Sequence, residues 1–256
     1  MARVFITGSA DGLGLMAARL LIEDGHDVTL HARSEARAAD AKSALPTASG
    51  VVVGDLSSIE ETRKVAEQAN ETGRFDAVIH NAAVGNREPR RIETVDGLAH
   101  VFAINVLATY VLTALITAPE RLIYVSSGLH LGGSADLEDL QWANRPWNGH
   151  HAYSDSKLFE VALAFALARL WPTTCSNALE PGWVATKMGG PGATDDLALG
   201  AVTQAWLAVS EEPAATVSGA YFYHQKPSPT HPAVHDLDVQ SGLLGACAEL
   251  TGIEIS

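Results

Sequence analysis

The chain has little cysteine, little net basic character and no obvious ligand cluster. Cys175 and Cys247 are its only cysteines in 256 residues. Two cysteines cannot build a disulfide framework or a thiolate metal site, which fits a reducing compartment and sets a cytoplasmic expectation. Ten histidines are present, but none falls in an H-E-x-x-H or comparable spacing, so no metal is expected. Lysine and arginine number 17 against 30 acidic residues, a formal net charge of −13. No basic stretch stands out, which argues against nucleic acid as a partner. The N-terminus runs straight into an apolar, β-prone segment with no signal-peptide pattern. Residues 101–118 are uncharged and as long as some membrane spans. They nevertheless carry Asn105 and a stripe of Thr109, Thr113 and Thr117 at helical spacing, and lie where a buried crossover helix is needed, so no membrane partner is expected. Internal repeats, low-complexity tracts and linkers are also missing. With 47% apolar residues, the expectation is one domain over residues 1–256, two small domains being the alternative.

What the chain does contain is an alternation of short β-type runs and helical stretches. The strand candidates are residues 4–7, 27–33, 50–54, 76–80, 121–126, 174–179 and 218–223. Several are near-continuous apolar runs, as strands buried on both faces should be. Ser57 with Glu60, or Ser58 with Glu61, forms a capping box opening the third helix, and Gly73 is its stop. Pro119 closes the fourth helix, and Pro172 closes the fifth, read over residues 152–171. Repeated βα units predict a doubly wound, Rossmann-type α/β sheet of about seven parallel strands with helices on both faces. Three connections, residues 81–91, 128–151 and 182–196, are long or glycine-rich, and each follows the C-terminal end of a strand. In an open parallel sheet that edge binds ligands. Surface decoration explains any one such loop, but three on one edge point to a site.

Two motifs carry chemistry. The first is Thr7-Gly8-Ser9-Ala10-Asp11-Gly12-Leu13-Gly14, between the first strand and an amphipathic helix. In that context Gly8 makes the sharp turn, Gly12 lets the backbone approach a pyrophosphate, and Gly14 lets helix and strand pack closely. The helix N-terminus then presents free N–H groups and a positive dipole end to phosphates. A flexible loop is the bland alternative. The second motif is Tyr153-Ser154-Asp155-Ser156-Lys157. A tyrosine and a lysine four apart share a helix face, and the ammonium favours the phenolate of a group whose ordinary pKa is near 10. Alone, such spacing also describes an exposed aromatic–cation pair.

Together the motifs resemble the classical short-chain dehydrogenase/reductase (SDR) family over nearly the whole chain. The matching pieces are Thr7-Gly8-x-x-x-Gly12-x-Gly14; Asp55-Leu56; Asn81-Ala82-Ala83; Asn105; Ser126-Ser127; Tyr153-x-x-x-Lys157; and Pro181-Gly182 with Thr186, in the family's order. The stretches Asp139-Leu140, Pro181-Gly182-Trp183-Val184-Ala185-Thr186-Lys187 and Tyr221-Phe222-Tyr223 are most similar to the retinol-dehydrogenase-like branch and its bacterial relatives. Alanine stands for a more usual glycine at Ala83 and Ala108, and Glu180 stands where the branch often has histidine.

The resemblance implies an oxidoreductase interconverting a carbonyl compound and an alcohol by hydride transfer. It implies Tyr153 as general acid/base, Lys157 tuning it and holding the nicotinamide ribose, Ser127 polarising the substrate oxygen, and Asn105 holding a water behind Lys157. Ser126 is the other candidate serine, and Asn105 is equally a buried polar residue satisfying backbone groups. The implied cofactor contacts are Gly8, Ser9, Asp11, Gly12, Leu13, Gly14, Arg33, Asp55, Leu56, Asn81, Ala82, Ala83, Tyr153, Lys157, Pro181, Gly182, Val184 and Thr186. The second strand ends His31-Ala32-Arg33-Ser34 with no acid for a ribose 2′-hydroxyl. Arg33 suits a 2′-phosphate, which favours NADP(H) over NAD, with Asp11 as counter-evidence. Competing readings are a nucleotide-sensing regulator without the reaction, disfavoured by the intact serine, tyrosine and lysine, and a sugar-nucleotide epimerase, disfavoured by the glycine spacing. The fourth and fifth helices carry more apolar residues than one sheet face can bury. That predicts a homodimer or tetramer through those helices, unless the C-terminal tail, residues 237–255, covers them.

Overall fold

The computed structural model describes residues 1–255. One sheet organises them: β1 (Arg3–Ile6), β2 (Asp27–Ala32), β3 (Gly50–Val53), β4 (Ala77–His80), β5 (Arg121–Val125), β6 (Cys175–Glu180), β7 (Tyr221–Tyr223) and β8 (Lys226–Pro227). Their spatial order is β3-β2-β1-β4-β5-β6-β7-β8. The first seven pair in parallel, each within two or three residues of its expected position. The two-residue β8 adds an antiparallel edge that no periodicity announced.

Alternation along the strands feeds two cores. Val4 and Ile6 point to one face, where α1 (Gly12–Glu23), α2 (Glu35–Ala44) and α7 (Val202–Val209) pack through Ala17, Leu21, Ala41 and Leu207. Phe5 points to the other, where α3 (Ile59–Glu71), α4 (His100–Phe102), α5 (Thr109–Leu115) and α6 (Gly149–Leu170) meet through Val65, Phe102, Tyr110 and Leu163. Ser58 is the N-cap of α3, its Oγ accepting from Glu61 N at 3.4 Å. Between α4 and α5 the backbone widens into a π-helical segment, Ala103–Ala108, which contains Asn105. No helix of the described residues is long and apolar enough to cross a membrane.

Helix α6 begins three residues earlier than the apolar pattern suggests. Asn148 caps it, its Oδ1 accepting from His151 N at 3.1 Å, and a glycine start gives no periodic signal. Every residue from 152 to 167 on α6 is buried within the single chain. The cover is the tail, which forms helix α8 (Leu237–Thr251) and sets Leu243 and Cys247 into the core beside α6. Arg169 Nε reaches Gln240 Oε1 at 3.2 Å, and Tyr110 Oη donates to Ile253 O at 2.7 Å. Of the apolar faces on which the dimer or tetramer expectation rested, that of α6 is therefore covered by the chain's own C-terminal part.

Candidate active site

The order β3-β2-β1-β4 reverses direction between β1 and β4, and a cleft of about 600 Å³ opens at the C-terminal ends of these strands. A reversal of strand order is where such sheets bind ligands. Gly8 turns the chain there at φ +61°, and a Cβ on it would stand 2.8 Å from Ala82 Cα. A Cβ on Gly14 would meet Asn81 Nδ2 at 2.5 Å and Gly8 O at 2.7 Å, so α1 lies against the strands as closely as the motif requires. Gly12 has nothing within 4 Å of its ideal Cβ and lines the cleft, leaving backbone open to a ligand. Asn81 steadies the turn from β4, its Nδ2 donating to Thr7 O at 3.0 Å and Gly8 O at 3.1 Å.

His31, at the end of β2, was not read as a site residue. Its Nδ1 accepts from Gly8 N, and its Nε2 lies against Gly54 O, both at 2.9 Å. That pairing requires the neutral ring with the proton on Nε2. Burial lowers its pKa to about 4. Ser9 faces the other way from what was expected of a cofactor contact. Its hydroxyl is fully buried, donating to Ile6 O and accepting from His31 N, and it does not line the cleft.

At the far end of the cleft Arg33 is exposed and has no partner among the described residues, while Arg37 lines the same wall. Arg37 bonds Asp11 Oδ2 at 2.8 Å and Asp40 Oδ2 at 2.7 Å. Lys187 reaches the same Asp11 oxygen at 2.5 Å from the loop after β6. Two cations thus face these two carboxylates, Asp11 is neutralised from two sides, and Arg33 stands apart from them. Arg37 and Lys187 were missed. Each sits within four residues of a predicted contact, but only the fold turns them toward one point. Asp55, Leu56, Ala82, Ala83, Pro181 and Thr186 line the cleft. Gly182 lies instead against Asp195, and Val184 is buried in an isolated bridge to the same residue.

The reactive-type groups meet on the cleft floor. Helix α6 carries Tyr153 and Lys157 one turn apart, both buried and both lining the cleft. Ser126 Oγ donates to Lys157 O at 2.8 Å, which turns it away from the phenol. Ser126 lines the cleft, while Ser127 Oγ accepts from Leu129 N at 3.2 Å and lies near enough to the Tyr153 phenol to oppose the rise in its pKa. Lys157 Nζ lies 5.5 Å from the Tyr153 ring centroid and donates to Val125 O at 2.9 Å and Glu160 Oε2 at 2.6 Å. Lys157 pulls the phenol down, as the expected tuning requires, but it is not the larger effect. Burial pushes the Tyr153 phenol up and outweighs Lys157, and the Glu160 charge adds to the rise. Asn105 does not face the cleft either. Its Oδ1 accepts from Val84 N, and its Nδ2 donates to Val84 O and Ser156 Oγ, all at 2.9 Å. The side chain therefore clamps the loop after β4 to α6.

The model for the short chain dehydrogenase family matches residues 2–131, half of the chain, ending before Tyr153 and Lys157. An oxidoreductase of Emericella nidulans is 43% identical over all of this chain and 99% of its own length. Human retinol dehydrogenase 13 is 32% identical over 98% of this chain and 85% of its own. A crystal structure of a Mycobacterium paratuberculosis protein superposes with a TM-score of 0.84 at 26% identity, covering 100% of this chain and 95% of that one. With the cleft at the strand reversal and the glycine turn beside it, these similarities establish that the chain belongs to the short-chain dehydrogenase family, oxidoreductases acting on CH–OH and C=O groups.

Proposed function

We propose that this protein is an NADP(H)-dependent oxidoreductase that interconverts a carbonyl compound and an alcohol, with Tyr153 as general acid/base. The observation that carries the reading is Tyr153 and Lys157 together on the floor of a cleft whose other end is the glycine turn, with Ser127 beside the phenol. The turn fits a dinucleotide: Gly12 is open, and α1 aims its N-terminus at the cleft. A bound nicotinamide supplies the hydride. Tyr153, kept protonated by burial, gives its proton to the substrate oxygen in reduction and takes one from the hydroxyl in oxidation. Ser127, beside the phenol, orients that oxygen. Lys157 uses two of its three N–H groups within the protein and turns the third to the ribose. Asn105 positions the loop after β4 and touches neither ligand. Arg33 and Arg37 receive the 2′-phosphate.

The chain has two unpaired cysteines, which suits a cytoplasmic protein. Its similarity to a retinol dehydrogenase and the half-exposed Trp183 beside the cleft favour an apolar substrate. The test is incubation with NADPH and a panel of apolar aldehydes and ketones, followed by loss of NADPH absorbance. Consumption with at least one substrate is expected. None across a broad panel, with NADPH still bound, would favour a nucleotide sensor.

A further inference from the structure

Glu160 is a buried carboxylate that the proposed chemistry leaves without a role. It stands one helical turn beyond Lys157 on α6, with no exposed surface. Its Oε2 lies 2.6 Å from Lys157 Nζ, and its Oε1 has no hydrogen-bond partner among the described residues. Packing does not account for it. A buried pair of this kind is generally no more stable than well-packed apolar residues of similar volume, and an orphan oxygen adds a desolvation cost. The neighbouring positions on α6 are apolar, Phe159 and Val161 among them, so a leucine would suit the core.

Its surroundings explain what it does. The groups that feel its charge are phenols on three elements: Tyr124 of β5, Tyr221 of β7 and Tyr153 of α6 itself. Lys157 is the one cation acting on it among the described residues. Burial alone drives a lysine toward its neutral form. Here Glu160 and Tyr153 reverse that pull, and the lysine's pKa lies above its ordinary value. Burial raises the Glu160 carboxyl to about 7 against the pull of Lys157, so it is ionised through the alkaline range in which an isolated buried lysine would lose its proton.

We propose that Glu160 is a positioning residue that holds Lys157 as a fixed cation, its ammonium tied to Val125 O and Glu160 with one N–H left for the cleft, and that it sets the alkaline limit of cofactor binding and turnover. This rests on the reading of Tyr153 and Lys157 given above. Glu160 touches neither substrate nor cofactor, and its effect passes through Lys157.

Two readouts separate this from a merely structural anchor. In cofactor-free protein with ¹⁵N-labelled lysine, the Lys157 resonance, assigned with K157R, is followed against pH in wild type, E160Q and E160D. The lysine of E160Q is expected to lose its proton at least about one pH unit below wild type, and E160D to recover most of the difference. NADPH affinity, titrated by fluorescence, should then fall about tenfold for each unit above that new midpoint in E160Q while wild type stays flat, because one unit is a factor of ten. If E160Q does not fold, E160D alone should show a smaller shift of the same sign. Superimposable pH curves for wild type and E160Q, or for wild type and E160D where E160Q does not fold, with only the melting temperature lowered, would overturn the proposal. If the wild type reduces no carbonyl, the oxidoreductase reading fails, while the lysine titration still decides the role of Glu160.

Discussion

His31 shows how one buried side chain couples stability to the ligand turn. The folded ring is neutral, with its pKa lowered from 6.5 to about 4 by burial. An unfolded chain takes up a proton near 6.5 that the folded chain refuses. The ring's contribution is therefore fully present above pH 6.5 and is lost as pH falls toward 4, a difference on the order of 3 kcal/mol. A His31→Gln variant does not titrate. Its melting temperature should lie furthest below wild type above pH 6.5, with the gap narrowing toward pH 4. A gap that is constant or widens in acid would remove His31 as a neutral brace. At the other end of the cleft, Arg33 has no partner among the described residues and Arg37 is shared with Asp11 and Asp40. A charge-assisted contact is worth roughly 1.5–3 kcal/mol. Arg33→Asp with Arg37→Ala should therefore weaken NADPH binding by more than about tenfold and leave NADH nearly unchanged, as read by fluorescence titration. Equal losses for both cofactors would show that the arginines do not face a 2′-phosphate.

At the scale of elements, the C-terminal helix α8 leads to a prediction about assembly. Because α8 covers α6 within one chain, light scattering at micromolar concentration should give a single species near 27.0 kDa. A stable species of twice that mass would mean that another face pairs. The strands and the glycine turn were legible because β-type apolar runs and glycine spacing are local signals, fixed by steric rules that act over a few residues. The cover over α6 was not. Leu243, Leu244 and Leu250 mark a segment as able to pack but do not say against what. The widened turn at Ala103–Ala108 gave no sign either, since its residues are helix-compatible throughout. Tyr153, Lys157 and Ser127 could be named from motif order. Glu160 could not, because a single acid in an apolar helix looks like an interruption until the fold shows it beside a lysine. Asn105 and Ser9 were read toward the cleft, whereas their hydrogen bonds to Val84 and to Ile6 turn them into the scaffold.

For the whole molecule, the two-sided sheet brings a glycine turn from one end of the chain and a tyrosine–lysine helix from its middle to one edge. The claim that follows is that this edge transfers a proton at Tyr153. Ring packing and proton transfer are separable there, since a phenyl ring fills the same buried space without a proton to give. The most direct measurement is Tyr153→Phe assayed with NADPH and the best carbonyl substrate of the panel, alongside NADPH titration. General acid–base catalysis is typically worth about 10²–10⁴-fold, so the account predicts turnover reduced by at least about a hundredfold with NADPH affinity within about threefold of wild type. Turnover above about a tenth of wild type in the phenylalanine variant would contradict it.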